Sequence, residues 1–378
     1  MLNRRKSVIG LMTAAVLLIA LNACDLGDVL SAKSGSIKEG RVTTVAGPFT
    51  DGSGGTSEPR GVAVDYQGTV YVTNHHAGEV LKITFGSNGV VSGQTTLLSG
   101  LDYPQDICYG MDGFLYVVEP YDKKITKIDP VSGASTLFYG WTDVKVLSGI
   151  LGIAADRFGN VYAAEGSNNR IRKIEPDGTV TTFAGGKSGF ANGEGSDAKF
   201  QYPSGIAVDR AGNVYVSDAY NHCIRKITPE AVVSVYASYA GSWGFVDSDS
   251  GSSKFGVIHG MAINVDTGDL FVFDRSSGGV RKITPGREVL PPDPPNTNPL
   301  VPETKTPIVV GRSVVTIAGD RKWDSKERSL IDGPAFSARF GNVAANGDLG
   351  YPKALAADTF GNVYVADSEN LVLRRIAP

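Results

Sequence analysis

Four histidines are the residues of this chain with the clearest chemical potential. His75 and His76 are adjacent, whereas His222 and His259 stand alone, and no pair has the H-x-H or H-E-x-x-H spacing of a compact zinc site. Catalytic zinc is typically held by three protein ligands plus water. A zinc site in this protein would therefore need ligands from distant parts of the chain.

Acidic or amide side chains recur at one position of a repeated pattern. They end six short apolar runs of the Val-Tyr-Val type: Asn74, Glu119, Glu165, Asp218, Asp274 and Asp367. Hard oxygen ligands of this kind suit calcium. A carboxylate at such a position also accepts backbone N–H groups of the following turn. Recurrence in nearly every copy favours this structural role.

The pattern around these residues is a six-fold internal repeat. Each copy has a first apolar run, a Gly-containing turn, the Val-Tyr-Val run, a polar turn and a third run such as Ile-Arg-Lys-Ile at 224–227, and most copies add a fourth. The runs are short, rich in β-branched residues and bounded by Gly, Asn and Asp, which predicts strands. Equivalent positions of the first run hold Gly61, Asp106, Gly152, Gly205, Gly260 and Ala354. Four strands per unit, repeated radially, predict an all-β fold, a six-bladed β-propeller.

Composition agrees with this architecture. Gly accounts for 47 of 378 residues while 42% of the chain is hydrophobic, which excludes collagen and general disorder and indicates packed strands joined by tight turns. The last copy lacks a fourth run, and residues 41–47 have the sequence of one. We therefore expect the N-terminal strand to complete the last blade, since an open ring would leave a strand edge unpaired.

The repeat resembles the NHL repeat, most closely at 203–227 with Asn221 and His222, and the resemblance covers residues 41–378. It implies a ligand site on the face that carries the turns between second and third strands and the loops between blades, here called the top face. The residue after each blade opening is expected near the mouth of the central channel. These residues are Arg60, Gln105, Leu151, Ser204, His259 and Lys353.

The candidate ligand-binding residues all come from this face. Trp in its loops either anchors the loop or offers a surface to a ligand. The candidates are Arg60, His75, His76, Gln105, Glu119, Tyr121, Trp141, Tyr220, Trp243, His259, Trp323 and Lys353.

Two inserts are expected on opposite faces. The long loop 320–350 is predicted to act as a lid, with Trp323 and Arg339 over the channel mouth. The Pro-rich insert 287–312 is predicted to leave the bottom of blade five as an extended arm of polyproline type.

Residues 1–23 are predicted to be a signal peptide. Arg4, Arg5 and Lys6 precede an apolar run, 8–21, that is too short for a membrane span. The sequence Leu-Asn-Ala-Cys at 21–24 resembles a bacterial lipobox, which implies lipidation of Cys24. Residues 24–40 read as a flexible tether. We therefore expect a bacterial cell-envelope protein, lipid-anchored on the periplasmic side of a membrane or at the cell surface.

Charge and cysteine content restrict the partners. Basic residues recur on the third strands but are spread around the ring beside abundant acids, which indicates solvated faces and no nucleic-acid partner. The chain has three Cys without a C-x-x-C pair, which excludes a zinc ribbon. Cys108 and Cys223 lie two blades apart, so each is expected to be a buried thiol.

The predicted function is that of a monomeric, non-catalytic binding module for a protein, peptide or glycan, with no cofactor. The alternative is a metal-assisted hydrolase or lyase with its site in the top-face channel. Two enzyme groups similar to NHL propellers suggest it: peptidylglycine lyases, with a histidine zinc site, and lactonases resembling gluconolactonase, whose divalent cation would be bound here by Asn74, Glu119 and Glu165. Calcium or zinc belongs only to this alternative.

Replacing the lipidated residue tests the anchor. Cys24→Ser removes the sulfur atom to which the predicted lipid is attached. The protein should then be released from membranes, because two or more acyl chains are needed for stable attachment. Membrane fractionation of cells carrying the wild-type or mutant gene measures this. A Cys24→Ser protein that still sediments with membranes would refute the lipid anchor.

Overall fold

The computed structural model describes residues 41–378 except 52, 141–146, 239–240, 249–251, 290–307, 311, 320–332, 335–339, 341–351 and 353. Several predictions fall outside these residues and remain predictions. They concern the signal peptide and tether, Cys24, Trp141, Trp323, Arg339 and Lys353.

The described residues form strands joined by short turns. In chain order the strands are β1 (Arg41–Ala46), β2 (Pro59–Val64), β3 (Val70–Asn74), β4 (Glu79–Phe85), β5 (Val91–Leu98), β6 (Asp106–Tyr109), β7 (Leu115–Glu119), β8 (Lys124–Ile128), β9 (Ser135–Gly140), β10 (Ile150–Ala155), β11 (Val161–Glu165), β12 (Arg170–Ile174), β13 (Val180–Gly185), β14 (Gly193–Glu194), β15 (Pro203–Val208), β16 (Val214–Asp218), β17 (Cys223–Ile227), β18 (Val232–Ala237), β19 (Ile258–Ile263), β20 (Leu270–Asp274), β21 (Gly279–Thr284), β22 (Arg287–Val289), β23 (Ile308–Val310), β24 (Ser313–Ala318), β25 (Gly333–Pro334), β26 (Ala354–Ala357), β27 (Val363–Asp367) and β28 (Val372–Ala377). No helix among the described residues is long and apolar enough to cross a membrane.

The strands form a six-bladed β-propeller, as predicted. Blades one to three are β2–β5, β6–β9 and β10–β13 in order, and blade four is β15–β18 with β14 added outside. Blade five pairs β19, β20, β21 and β24, and blade six pairs β26, β27, β28 and β1, with β25 outside. The first strand of each blade lies innermost, around the central channel.

The N-terminal strand closes the ring, as predicted. β1 pairs antiparallel with β28, with Val42 opposite Ile376 and Ala46 opposite Leu373. Val42 is completely buried. The pairing covers the outer edge of β28, which would otherwise present unpaired backbone groups.

Apolar side chains fill the space between neighbouring blades. The second strands are buried over their whole length, which explains why their sequences are apolar without alternation. Between blades four and five, for example, Tyr215 and Ile224 pack in one cluster with Phe255 and Leu270. The core is thus a set of layers between the blades.

A recurrent Asp fixes the turn between first and second strands. Asp209 Oδ1 accepts the N–H groups of Ala211 and Asn213, both at 2.9 Å, and its Oδ2 accepts the Tyr215 hydroxyl at 3.1 Å. Asp65, Asp156 and Asp358 make the same kind of turn. These carboxylates define the bottom end of their blades.

Glycine recurs in the first strands because neighbouring inner strands come too close for a side chain. A Cβ at Gly205 would lie 2.4 Å from His259 O, and one at Gly61 would lie 2.7 Å from Ile107 N. Blade two has Asp106 at this position. β6 pairs with β7 without the register shift that the first strands of blades one, three, four and five show here.

The two ends of the Pro-rich insert pair as a β-hairpin. The prediction of polyproline structure for 287–312 is therefore wrong at these ends. β22 and β23 pair antiparallel, with Arg287 opposite Val310. These two segments contain no Pro and are rich in β-branched residues, which favours strands. The prolines of the insert lie at 291–307, which is outside the described residues. For that part the polyproline arm stays a prediction.

Removing the closing strand tests the ring. Deleting residues 40–47 should lower the melting temperature by roughly 5–10 °C and broaden the transition, because several kcal/mol of pairing and burial are lost. Differential scanning calorimetry and light scattering measure stability and aggregation. Replacing residues 290–307 with a short Gly-Ser linker is the control and should leave both unchanged. A deletion protein that melts like the wild type would contradict the closure.

Candidate functional site

The six inner strands surround a channel with a cavity of about 260 Å³. The structure places five mouth residues named from the sequence in its wall: Arg60, Gln105, Leu151, Ser204 and His259. Because the inner strands are sheet edges, the rest of the wall carries backbone polar groups beside small apolar side chains. The channel therefore offers both polar and apolar contacts to a small ligand or to one group of a larger ligand.

Several mouth residues also hold the ring together. Gln105 Nε2 donates to Ile150 O of blade three at 3.2 Å, and Ser204 Oγ donates to Ile258 O of blade five at 2.9 Å. Arg60 Nε donates to Glu58 Oε2 at 3.0 Å. Arg60 remains about 29% exposed in this pair, so it is accessible from the top face.

The acids that end the second strands are buried within their blades and do not line the channel. Asp218 Oδ1 accepts Gln201 N at 2.7 Å, Glu165 Oε1 accepts Ser148 N at 2.6 Å and Glu119 Oε2 accepts Asp102 N at 2.9 Å. These donors belong to the loop that enters each blade. These acids thus have the predicted structural role. The prediction that the donors belong to the following turn is wrong for these three.

This placement also bears on the metal alternative. Asn74, Glu119 and Glu165 would have to point inward to bind a cation, yet none of them lines the channel. The Asn74 amide instead donates to Thr50 O at 2.9 Å. Glu119 belongs to the ligand-binding candidates as well, and its full burial removes it from the accessible surface.

Buried arginines seven residues after the acids were missed from the sequence. Arg225 Nη1 donates to Asp218 Oδ2 at 2.9 Å, and both side chains are fully buried. Arg225 also donates to Ala191 O at 2.7 Å and Lys199 O at 3.1 Å, which holds the loop entering blade four. The pairs Asp274–Arg281 and Asp367–Arg374 repeat the arrangement at 3.5 Å.

A signal for these pairs is present in the repeats themselves. In the run Ile-Arg-Lys-Ile the Lys is half-buried and the Arg is buried. Blade one, which has the neutral Asn74, carries Leu81 at the position of the arginine. The co-occurrence is partial, because blade two has the acid Glu119 with Thr126 at the position of the arginine.

Two histidines connect consecutive blades. His75 Nδ1 donates to Pro104 O at 3.1 Å, and His222 Nδ1 donates to Gly256 O at 2.9 Å. His75 is only 4% exposed, and burial lowers its pKa to about 4. His75 is thus a buried contact between blades one and two, whereas His76 is exposed on the top face. The described residues contain no group of three or more His, Cys, Asp or Glu side chains placed to hold a metal.

Exposed aromatic rings form pairs on the top face. Tyr121 is 71% exposed and lies 5.3 Å from the Tyr103 ring, and Tyr220 stacks on Tyr202 at 5.1 Å. Trp243 is 59% exposed and lies 5.3 Å from the ring of Phe245 in the same loop. Tyr103 and Tyr202 have positive φ values of 47° and 58°. This backbone conformation is unfavourable for Tyr, so the surrounding structure must hold both residues in it.

Phe340, within the segment 320–350, packs between blades five and six. Phe340 is buried beside Phe273, and the Arg374 guanidinium lies 4.5 Å from its ring centroid. Phe200 and Phe255 pack on Arg225 and Arg281 in the same way. Phe340 is thus part of the propeller core. Trp323 and Arg339, the residues of the predicted lid, lie outside the described residues.

The two described cysteines are free thiols. Cys223 is buried, as predicted, but Cys108 is only half-buried because it lines the channel. Burial raises the pKa of the Cys108 thiol well above its ordinary value. Both thiols are therefore protonated at neutral pH.

Comparisons with known proteins agree with the fold. Residues 200–227 match the NHL repeat. Protein SUPPRESSOR OF QUENCHING 1, chloroplastic, of Arabidopsis thaliana is 27% identical over 166 residues, which cover 38% of this chain and 16% of that protein. NHL repeat-containing protein 2 of Homo sapiens is 27% identical over 145 residues, covering 35% and 20%. The chain thus spans a fifth or less of the length of these curated relatives.

Solved structures show the same fold at low sequence identity. A protein of unknown function from Bacteroides thetaiotaomicron has a TM-score of 0.61 at 18% identity, covering 89% of this chain and 76% of that one. An auxiliary nutrient binding protein from Bacteroides ovatus scores 0.57 at 18% identity, covering 90% and 77%. A streptogramin B lyase scores 0.53 at 15% identity, covering 91% and 99%. At these identities the likeness concerns the fold alone.

The buried ion pair can be tested with a double-mutant cycle. Arg225→Leu should cost about 3–5 kcal/mol of stability, because it leaves Asp218 buried without its cation. Adding Asp218→Asn recreates the Asn and Leu found in blade one and should restore at least ~1 kcal/mol. Urea denaturation measures both changes. Lys226→Leu, on the same strand, is the control and should cost less than ~1 kcal/mol. A double mutant no more stable than Arg225→Leu would contradict the pairing.

Proposed function

We propose that this protein is a lipid-anchored envelope protein whose propeller binds a protein, peptide or glycan at the top face, around the channel mouth, without catalysing a reaction. The observation that carries the proposal is that some polar residues have structural roles and others remain accessible. The buried acids, His75, His222 and Gln105 hold blades and loops together, whereas Arg60 and the aromatic pairs remain accessible on the top face.

Two further features support a binding role. Tyr and Trp offer a large contact surface at low conformational cost, which is why they are enriched in recognition surfaces. The fold is also shared with auxiliary nutrient binding proteins of Bacteroides. The lipobox around Cys24 supports a position at the envelope, where such a protein would meet extracellular ligands.

The alternative of a metal-assisted hydrolase or lyase has a direct test. The full chain is purified without chelators and its metal content is measured by mass spectrometry. One tightly bound divalent ion per chain, retained through dialysis, would favour the alternative. A protein that binds its ligand at full affinity after chelator treatment would support the binding module.

Paired aromatic substitutions locate the binding face. The full chain in detergent is screened against glycan and peptide arrays, and the strongest hit is titrated by calorimetry. The double variant Tyr121→Ala, Tyr220→Ala should weaken binding at least tenfold, because each ring supplies exposed contact area on the top face.

The control removes two exposed aromatics from the opposite face. Phe158 and Phe360 lie in turns between first and second strands and are 66% and 68% exposed. The double variant Phe158→Ala, Phe360→Ala should leave the affinity unchanged. If this bottom-face variant weakens binding and the top-face variant does not, the proposed site is on the wrong face.

A further inference from the structure

Asp106 gives the channel a carboxylate at a position where four of the other blades have Gly. Its side chain reaches across to blade three, where Oδ2 accepts Ile153 N at 3.0 Å, and it forms part of the channel wall. An ionised carboxylate has about four acceptor sites on its two oxygens. The backbone N–H groups of Ile153 and Ile107 therefore leave part of its acceptor capacity unused.

The surroundings of Asp106 do not neutralise its charge. β7 places Val118 opposite it, β10 contributes no titratable residue, and β6 itself adds Cys108 and Tyr109. From β2 comes Arg60, whose guanidinium is paired with Glu58. Among the described residues no Lys, Arg or His forms an ion pair with Asp106, and burial raises its pKa to about 7.

Apart from Arg60, which is paired with Glu58, the other charged residues of the described channel wall are acidic. Asp65 and Asp358 lie at the lower end of the wall, where each accepts N–H groups of its own turn and a Tyr hydroxyl. They are therefore occupied, but they add negative potential to the cavity. Asp106 is the wall carboxylate that does not serve a turn.

Aromatic rings also line the lower end of the cavity. Tyr109, three residues after Asp106 on β6, lies 5.5 Å from the ring of Tyr66, and both residues belong to the wall. Aromatic faces attract organic cations. A cavity of about 260 Å³ admits a group the size of an amino-acid side chain or a small amine.

We propose that the channel is a binding site for a primary ammonium group, with Asp106 as its counter-ion. The inference rests on the proposed binding function and specifies the part of the ligand that enters the channel. The ammonium group is carried either by a free amine or by the lysine side chain of a peptide. In both cases it donates hydrogen bonds to the carboxylate while its alkyl stem contacts the apolar wall.

Matched probes test the inference. Phenethylamine and the peptide Gly-Lys-Gly are compared with phenethyl alcohol and Gly-norleucine-Gly, which lack only the ammonium group. Binding to the full chain is followed by saturation-transfer NMR and calorimetry at pH 8 and pH 6. At least one amine should bind at least tenfold more tightly than its neutral counterpart. Its affinity should fall about tenfold from pH 8 to pH 6, because the cation binds the ionised carboxylate.

Substitution of the carboxylate separates this role from a structural one. Asp106→Asn keeps the acceptor for Ile153 N but should abolish both the preference for the amine and the pH dependence. Asp106→Gly, which installs the residue found in four other blades, serves if Asp106→Asn does not fold. Asp177→Asn makes the same charge change in an exposed turn and should bind like the wild type.

Either of two results would overturn the inference: no amine binds more tightly than its neutral counterpart, or Asp106→Asn binds the amine as the wild type does. The proposed function fails by a different result, the absence of any array hit that depends on the top-face aromatics. A preference for the free amine over the peptide would assign the site to small solutes, and the reverse would assign it to peptides.

Discussion

The close approach of the inner strands is the constraint on which the rest of the propeller depends. A Cβ at Gly205 would lie within 2.4 Å of a backbone oxygen of the next blade, so the first strands meet almost backbone to backbone. Their carbonyl groups cannot all reach water and need donors from the protein. Side chains of neighbouring blades supply them, as Ser204 does for Ile258 O and Ser368 does for Pro59 O.

The same requirement explains the buried ion pairs. A buried salt bridge is a weak source of stability because both ions lose their hydration. Here the arginine does more than neutralise an acid, since Arg225 and Arg281 each donate to backbone carbonyls of a long incoming loop. The pair thus fixes a loop that contains little regular secondary structure, in blade four only the two-residue strand β14 and one 3-10 turn. The top face owes its defined shape to these pairs.

Much of the fold follows from the sequence, because six copies of one pattern determine blades, strand order and closure together. The site follows less well. His75 reads as a free imidazole, yet its partner is the carbonyl of Pro104, 29 residues away in the next blade. Arg225 was missed because the run Ile-Arg-Lys-Ile does not show which basic residue faces the core. The sequence shows Asp106 as an equivalent of Gly in the repeat, but it does not show how close β10 comes to the Asp106 carboxylate.

Asp106 makes blade two different from the other five blades at the channel. At this position of the first strand, five blades have Gly or Ala and one has a carboxylate, which makes the channel wall asymmetric. Carbon-13 NMR of the Asp106 carboxyl, assigned by difference with Asp106→Asn, measures this most directly. The account predicts a titration midpoint near pH 7 that falls by at least one unit when the preferred amine is saturating. A midpoint near 4 that no amine displaces would contradict it.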